Sequence, residues 1–340
     1  METARSFEAG GQMSAEAAPR VAVIGAGDIG RGWAALTASA GWPVALYDAE
    51  TAPLEHGMRE VRSRVESLVA LGRAEPGPAR QGLRELRQSR SLLTAVQDAD
   101  WIIEAAPEDL SVKQRLLEQI EQVARRAVVI TSSAGTLHAS QLCARLRRAD
   151  RLLVARPLTP VELLPVVEVV PGPHTDPDCV EDVRWWLTRL GRAPIVLRRE
   201  IVGHVVSRLV AAVWRESIHL VLDDVIDIRD LDRAIALGPA LGWAAGGPAI
   251  NARLAGEEEG MSRFVDSLAQ RYEACWASLA SWDRLDPEQR SRFAKAVERA
   301  YADADGLRAR RDIRLAGLLR AVDEPVAVER FIHNTDESGS

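Results

Sequence analysis

The stretch Val21–Asp48, VAVIGAGDIGRGWAALTASAGWPVALYD, decides the fold of this chain. Its apolar start, Val21–Ile24, predicts a buried strand, and the glycine-rich turn that follows leads into a predicted helix, Arg31–Ala40. A second apolar run, Val44–Tyr47, predicts a second strand that ends in an acidic residue. Strand, glycine turn, helix, strand and acidic residue in this order predict a βαβ unit that binds a dinucleotide.

The turn itself supplies most of the predicted cofactor contacts. Gly25 permits the tight turn, Gly27 lets a pyrophosphate approach the backbone, and Gly30 lets helix and strand pack closely. The phosphates would rest on the positive end of the helix. Asp48 follows the turn at roughly the twenty-residue distance at which a carboxylate binds the adenosine ribose, which favours NAD over NADP. The predicted contacts in this unit are Gly25, Gly27, Asp28, Ile29, Gly30 and Asp48.

The bulk properties are those of an ordinary globular protein. The 340 residues are enough for two domains, and 47% of them are hydrophobic, 27% are charged and the net charge is −6. Basic residues are scattered among acidic ones, which argues against a nucleic-acid surface. The three cysteines are far apart and odd in number, so neither a disulfide framework nor a metal site is predicted. Without a signal-peptide or membrane pattern, the sequence favours a cytoplasmic protein.

Three regions follow one another along the chain. Residues 1–19 predict a flexible tail, and residues 20–200 predict a Rossmann-type, doubly wound parallel sheet with helices on both faces. Residues 51–97 look helical apart from a loop at Ala74–Pro78. The predicted strands are Val21–Ile24, Val44–Tyr47, Trp101–Glu104, Ala127–Thr131, Leu152–Ala155, Val166–Val170 and Pro194–Leu197.

Strand signals end after Gly203, and residues 201–330 predict an all-α domain for substrate binding and dimerisation. Helices are expected at Val205–Leu222 and Ile228–Ala236, a glycine-rich break at Gly238–Pro248, and further helices to about Val322. A helical domain that is apolar on one face often buries that face against a twin subunit, so a homodimer is expected. The fold class is therefore α/β followed by all-α.

Several motifs resemble the 3-hydroxyacyl-CoA dehydrogenase family. They are Gly30-Arg-Gly-Trp-Ala34, Glu104-Ala-Ala-Pro-Glu108 followed by Lys113, Val166-Val-Glu-Val-Val-Pro171 and Arg310-Arg-Asp-Ile-Arg314. Within that family the chain is most similar to the small-substrate branch of L-gulonate 3-dehydrogenase (lambda-crystallin) and carnitine 3-dehydrogenase. The resemblance implies that Glu108 and Lys113 contact the nicotinamide end of NAD.

The same resemblance implies a catalytic set of histidine, glutamate, serine and asparagine, of which only the glutamate, Glu168, is retained. Arg156 occupies the histidine position and Ser207 the asparagine position. Gly135 falls at the serine position with Thr136 beside it, and Thr159 replaces a nearby asparagine. The predicted catalytic residues are Arg156, Glu168, Ser207 and Thr136, and Gly135 and Thr159 complete the predicted cofactor contacts.

Arg156 changes the chemistry that the site can perform. A guanidinium stays protonated, so it is not a general base for alcohol oxidation. It can stabilise a developing oxyanion, hold a substrate carboxylate, or form a structural ion pair with Glu168. The proton would then come from water, Thr136, His138 or His204, or from Glu168 itself if burial raised its pKa.

Two functions remain open on the sequence. The first is an NAD(H)-dependent oxidoreductase acting on a small 3-hydroxy or 3-keto acid or an acyl thioester, for which carbonyl or imine reduction is easier to support than oxidation. The second is a non-redox catalyst, or a binding or structural protein, that keeps the nucleotide site without hydride transfer. The intact glycine turn favours the first, whereas the residues at positions 135, 156, 159 and 207 favour the second.

Overall fold

The computed structural model describes residues 18–255, 260–302 and 306–323. Most of the predicted tail, and the last residues of the predicted helical domain, therefore lie outside the described residues. The chain divides into two compact units, the first ending at Arg208 and the second beginning at Leu209. The first carries the sheet and the second is helical.

The first unit alternates strands and helices. Its strands are β1 (Val21–Ile24), β2 (Val44–Tyr47), β3 (Arg87–Ser89), β4 (Trp101–Glu104), β5 (Val129–Ser132), β6 (Leu152–Pro157), β7 (Val166–Pro171) and β8 (Ala193–Val196). Its helices are α1 (Asp28–Ser39), α2 (Thr51–Ala70), α3 (Pro76–Glu85), α4 (Leu92–Val96), α5 (Leu110–Val123), α6 (Ala139–Leu142) and α7 (Pro177–Arg189). This alternation confirms the predicted α/β fold.

All eight strands form one sheet in the order β3-β2-β1-β4-β5-β6-β7-β8. Neighbouring strands are parallel except β6 and β7, which run antiparallel. The connection between those two strands, residues 158–165, is too short for a crossover helix, so the chain turns back beside itself. The expectation of a purely parallel sheet is therefore wrong at this one pair of strands.

Apolar side chains cover both faces of the sheet. On one face Trp101 of β4 stacks on Trp186 of α7 with ring centroids 5.2 Å apart, and it meets Trp33 of α1 edge-on at 5.8 Å. On the other face Leu117 and Ile120 of α5 belong to the same cluster of buried apolar residues as Ile102 of β4. Two covered faces explain why β1 is apolar throughout and β4 is apolar up to Glu104, as in other parallel sheets.

Two local predictions in the first unit are wrong. Strand β3 lies inside residues 51–97, which the sequence predicts to be helical. The prediction fails here because β3 is a short, largely exposed edge strand without apolar alternation. The expected loop at Ala74–Pro78 is partly helical, since α3 begins at Pro76, and proline is favoured in the first turn of a helix.

The second unit contains only helices among its described residues. After α8 (Val206–Leu222), which begins in the first unit, come α9 (Ile228–Leu237), α10 (Pro239–Ala255), α11 (Met261–Ser278), α12 (Pro287–Ala300) and α13 (Leu307–Asp323). The predicted break at Gly238–Pro248 is mostly helical, and only Gly247, with φ of 81°, leaves the helical conformation. Within the described residues, none of these helices combines the length and the apolar character needed to cross a bilayer.

Helix α3 offers a matched test of the packing in the first unit. A Cβ on the buried Gly82 would lie 1.9 Å from the backbone oxygen of Ala38 in α1, whereas a Cβ on Gly77 would meet nothing within 4 Å. We expect Gly82→Ala to lower the free energy of unfolding by about 1–3 kcal/mol, the usual cost of overpacking. Gly77→Ala should leave it unchanged or slightly higher.

Denaturant unfolding of both variants measures the difference. Equal stabilities for Gly82→Ala and Gly77→Ala would contradict the close approach of α1 and α3.

Candidate active site

A groove of about 950 Å³ lies at the carboxyl ends of the first strands and the N-terminus of α1. Parallel α/β sheets bind ligands at the carboxyl edge, next to the strand from which the chain continues first to one side and then to the other. Here that strand is β1, with β2 and β3 on one side and β4 on the other. Six of the residues predicted to contact the cofactor line the groove: Gly25, Gly27, Asp28, Ile29, Asp48 and Glu108.

The glycine turn has the conformation that a bound pyrophosphate needs. Gly25 has φ of 112°, which L side chains rarely adopt, and its N–H donates to the Tyr47 carbonyl oxygen at 2.8 Å. A Cβ on Gly30 would lie 1.9 Å from the Gly25 oxygen, so the close packing requires glycine. A Cβ on Gly27 would meet no atom within 4 Å, which leaves the backbone at the start of α1 open to phosphate oxygens.

Asp48 is held rigidly at the end of β2. One of its carboxylate oxygens accepts a hydrogen bond from the Ala26 N–H at 2.9 Å, and the other accepts from the Glu50 N–H at 3.0 Å. A carboxylate has about four acceptor positions, so each oxygen can still accept a ribose hydroxyl. The residues present therefore fit NAD.

A buried ion pair supports the wall of the groove. The Lys113 ammonium contacts both carboxylate oxygens of Glu104 at 2.9 and 3.0 Å, and it donates to the Ala106 carbonyl oxygen at 3.0 Å. Glu104 also accepts from the Ala106 N–H at 2.7 Å and from the Ser132 hydroxyl. Lys113 is 1% exposed, and its three contacts hold the loop after β4. Lys113 is not among the residues that line the groove, and its predicted contact with the cofactor stays a prediction.

Glu108 joins the groove to the predicted catalytic loop. Its Oε1 accepts hydrogen bonds from the backbone N–H groups of Gly135, Thr136 and Leu137 at 2.8–3.3 Å, and from the Thr136 hydroxyl at 2.9 Å. Burial raises the pKa of Glu108, but these hydrogen bonds and the charge of Lys113 outweigh burial, so the pKa is lowered overall. Glu108 is therefore a carboxylate that fixes the loop beside it.

Arg156 and Glu168 are direct cross-strand partners on β6 and β7. The Arg156 Nη1 lies 2.8 Å from the Glu168 Oε2, and the Glu168 side chain is 0% exposed. The other oxygen, Oε1, accepts from the N–H groups of Val205 and Val206 at 2.7 and 2.9 Å. A buried carboxylate thus binds both the guanidinium and the first turn of α8.

Gly135 leaves room for the guanidinium. A Cβ at this position would lie 3.6 Å from the Arg156 Nε and 3.9 Å from the Glu108 Oε1. The structure therefore brings Gly135, Thr136, Glu108, Arg156 and Glu168 into one cluster, and 19% of the Arg156 side chain stays exposed. Of the other predicted residues, Thr159 is exposed in the connection after β6, and Ser207 is half-buried at the second position of α8.

Glu104 and Ser132 support the site and are not among the residues that the sequence predicts for it. The available signal was an acidic residue at the end of the apolar strand Trp101–Glu104, since a buried carboxylate needs a partner. The sequence predicts Lys113, the partner of Glu104, as a cofactor contact and does not predict this ion pair.

Sheet order, glycine turn, fixed Asp48 and groove together define an NAD-binding oxidoreductase fold. A model of the 3-hydroxyacyl-CoA dehydrogenase NAD-binding domain matches residues 20–201, and one of the C-terminal domain of the same enzymes matches residues 203–296. The chain therefore belongs to the 3-hydroxyacyl-CoA dehydrogenase family.

Similar proteins are dehydrogenases. An L-carnitine dehydrogenase of Bacillus cereus is 32% identical over 90% of this chain and 93% of its own length. Another, of Burkholderia mallei, is 34% identical over 83% of this chain and 90% of its own length.

Among solved structures, an NAD⁺-dependent 5-formyl-3-hydroxy-2-methylpyridine 4-carboxylic acid 5-dehydrogenase, described as a dismutase, is similar to the chain. Its TM-score is 0.78 at 26% identity, covering 91% of this chain and 99% of that chain. The fold of this chain is thus that of NAD-dependent dehydrogenases.

The buried ion pair yields a prediction. Lys113→Met leaves the Glu104 carboxylate buried without its cation, so we expect the free energy of unfolding to fall by about 3–5 kcal/mol. The double variant Glu104→Gln, Lys113→Met removes both charges and keeps an acceptor for the Ala106 N–H, so it should regain more than half of the loss. Denaturant unfolding of wild type, Lys113→Met, Glu104→Gln and the double variant measures both effects. Additive losses would contradict the pairing.

Proposed function

We propose that this chain is an NAD(H)-dependent oxidoreductase that reduces a small carbonyl or imine compound of the 3-keto acid or 3-ketoacyl type. The observation that carries the proposal is the Arg156 guanidinium, which Glu168 holds at Nη1 while its Nε lies beside Gly135. The names of the relatives, L-carnitine dehydrogenases, support a small substrate.

Arg156 suits reduction better than oxidation. Reduction of a carbonyl develops negative charge on oxygen, and a fixed cation with donors to spare stabilises that charge. Oxidation of an alcohol requires a proton acceptor, and a guanidinium accepts no proton. With one nitrogen bound to Glu168, the remaining N–H groups of Arg156 can bind the substrate oxygen or a substrate carboxylate.

When bound, NADH supplies the hydride for this reduction. The residues of the chain would bind and orient it: the turn Gly25–Gly30 would hold the pyrophosphate, and Asp48 would bind the adenosine ribose. Glu108 fixes the loop at Gly135 next to the guanidinium. Lys113 acts through Glu104 and the loop after β4, so we assign it a positioning role.

Glu168 is the positioning partner of Arg156 rather than the acid or base. Three donors bind its two oxygens, and one of these donors is a guanidinium, so most of its acceptor positions are used within the protein. The Thr136 hydroxyl is similarly engaged, because it donates to Glu108. These contacts favour a positioning role for both groups over proton exchange with the substrate.

The same observations favour the second candidate function, a protein that binds NAD and carries out no hydride transfer. With Arg156 in place of a base, and with Glu168 and Thr136 engaged, a non-redox catalyst or a binding protein remains the alternative. Tight NADH binding without NADH oxidation across a panel of 3-keto acids, 3-ketoacyl thioesters and imines would favour this alternative.

Arg156 provides the direct test of the proposed reductase. We expect Arg156→Ala to lower the rate of NADH oxidation by about 10²–10³-fold, the usual effect of removing an oxyanion donor. Arg156→Lys should be faster than Arg156→Ala and slower than wild type, since lysine keeps the positive charge but lacks the planar guanidinium with its paired N–H donors. The dissociation constant for NADH should change little, because Arg156 does not line the groove.

Arg184→Ala is the matched control, since Arg184 forms a solvent-exposed ion pair with Glu181 on α7. Stopped-flow absorbance of NADH measures the rates, and fluorescence titration measures NADH binding. If Arg156→Ala oxidises NADH as fast as the wild type, Arg156 does not stabilise the oxyanion.

We also propose that the chain forms a homodimer and that the helices of the second unit form its interface. Large apolar side chains are exposed on these helices, including Leu209 at 64% and Trp214 at 52% on α8 and Trp276 at 54% on α11. Exposed apolar surface of this extent is typical of an interface. Light scattering should give the mass of a dimer, and Leu209→Asp should shift it towards the monomer. A wild-type monomer at micromolar concentration would contradict the proposal.

A further inference from the structure

Arg31 is a cation of the groove that has no role in the site as described so far. It follows the glycine turn in the motif Gly30-Arg-Gly-Trp-Ala34 and lines the groove. Its backbone N–H donates to the Gly27 carbonyl oxygen at 2.9 Å, so the residue lies one turn inside α1. Helix side chains tilt towards the N-terminus, and one turn is only about 5.4 Å long. The Arg31 guanidinium can therefore reach the end of α1 at which a pyrophosphate would bind.

The carboxylates of the groove are bound by other partners. Among the described residues that line it, the acidic ones are Asp28, Asp48 and Glu108. Asp48 and Glu108 accept hydrogen bonds from backbone N–H groups. Asp28 forms an ion pair with Arg64 of α2. Each of these carboxylates thus has a partner other than Arg31.

Arg64 holds a second carboxylate beside α1. Its Nη1 lies 3.3 Å from the Oε1 of Glu162, in the connection between β6 and β7. A Cβ on Gly32 would lie 2.9 Å from the other oxygen of Glu162, so this carboxylate lies against α1 next to Arg31. Burial lowers the pKa of Arg64, but its hydrogen bond to Asp28 and the charges of Glu162 and Asp28 outweigh burial, so the pKa is raised overall. Arg64 therefore stays a cation between the two carboxylates.

The donors of Arg31 lack acceptors in the described part of the chain. Its Nε is buried without a hydrogen-bond partner there, and Arg31 takes part in none of the ion pairs between described residues. Buried donors are rarely left in this way. Phosphate oxygens are the acceptors that a planar guanidinium binds best, through paired N–H donors.

We propose that Arg31 is a further cofactor-binding residue that binds the pyrophosphate of NAD(H), and that Arg64 is a positioning residue that keeps Asp28 and Glu162 from pairing with it. The proposal requires NAD binding and is independent of the direction, or the presence, of hydride transfer. It adds a charged side chain to a site whose other phosphate donors are backbone N–H groups.

The affinity for phosphate-bearing ligands tests the role of Arg31. Arg31→Met removes the charge and keeps an unbranched side chain, so we expect the dissociation constants for NADH and for ADP to rise by about 10–100-fold, the usual effect of losing a hydrogen bond to a charged group. The affinity for adenosine, which carries no phosphate, should not change. Fluorescence titration measures NADH binding, and calorimetry measures the binding of ADP and adenosine.

Arg62→Met is the matched control for the loss of one positive charge. Arg62 is exposed on α2, two residues before Arg64 and on a different face of that helix, so its loss should leave all three dissociation constants unchanged. Unaltered binding of NADH and ADP by Arg31→Met would overturn the proposal, and so would an equal loss for adenosine. A wild type that binds neither NADH nor ADP would overturn it as well, whereas binding without turnover would contradict only the reductase.

Thermal unfolding separates a binding role of Arg31 from a structural one. Without ligand, Arg31→Met should be as stable as wild type or more stable, since a buried donor without an acceptor costs free energy. Saturating NADH should then raise the unfolding temperature of Arg31→Met less than that of wild type. A lower unfolding temperature without ligand, together with an equal rise on adding NADH, would assign Arg31 to the fold and contradict its binding role.

The charges next to Arg31 test the role of Arg64. Arg64→Met releases Asp28, which lies three residues before Arg31 on α1 and can then pair with it. We expect the dissociation constant for NADH to rise by about two- to fivefold, as when an exposed ion pair has to be broken. Asp28→Asn and Glu162→Gln added to Arg64→Met should return it to the wild-type value.

Asp28→Asn alone keeps this role testable if Arg64→Met does not fold. It removes a negative charge from the wall of the groove and keeps the backbone N–H, so it should bind NADH at least as tightly as wild type. Weaker NADH binding by Asp28→Asn, or no recovery in the triple variant, would overturn the positioning role of Arg64.

Discussion

The Glu168 carboxylate is the interaction on which the candidate site depends. It is fully buried, and a buried charge is tolerated only where partners satisfy it. Its partners are the Arg156 guanidinium on the neighbouring strand and the first backbone N–H groups of α8. One residue therefore fixes the direction of the arginine and the start of the helix. The antiparallel return of β7 makes this possible, since it sets the two side chains in direct register.

The nucleotide side of the unit is organised by the same principle. Glu104 holds Lys113 and the loop after β4, Glu108 holds the loop at Gly135, and Asp48 holds the glycine turn through the Ala26 N–H. Each carboxylate follows or ends a strand and accepts hydrogen bonds from a neighbouring loop. The loops that form the groove are thus fixed before any ligand binds, which reduces the ordering cost of binding.

The strands and the glycine turn could be predicted from the sequence because their signals are local. The runs Val21–Ile24 and Val44–Tyr47 are apolar, Trp101–Glu104 is apolar up to its final carboxylate, and the structure has strands with these bounds. Edge strand β3 has no apolar pattern, and the helix across Gly238–Pro248 contradicts its composition, so neither could be predicted. The identities of positions 135, 156, 159 and 207 indicate an altered site, in which Glu168 is retained. Their grouping, and the partner of Lys113, depend on contacts between distant segments that a sequence pattern does not contain.

Transfer of deuterium from NADH labelled at the nicotinamide C4 to a 3-keto acid tests the central claim most directly. If the fixed arginine supports reduction in place of a base, mass spectrometry should find one deuterium at the former carbonyl carbon of the product, transferred from one face of the nicotinamide. Saturating binding of the labelled NADH with no deuterated product from any keto acid, thioester or imine would contradict the account and favour an NAD-binding protein without hydride transfer.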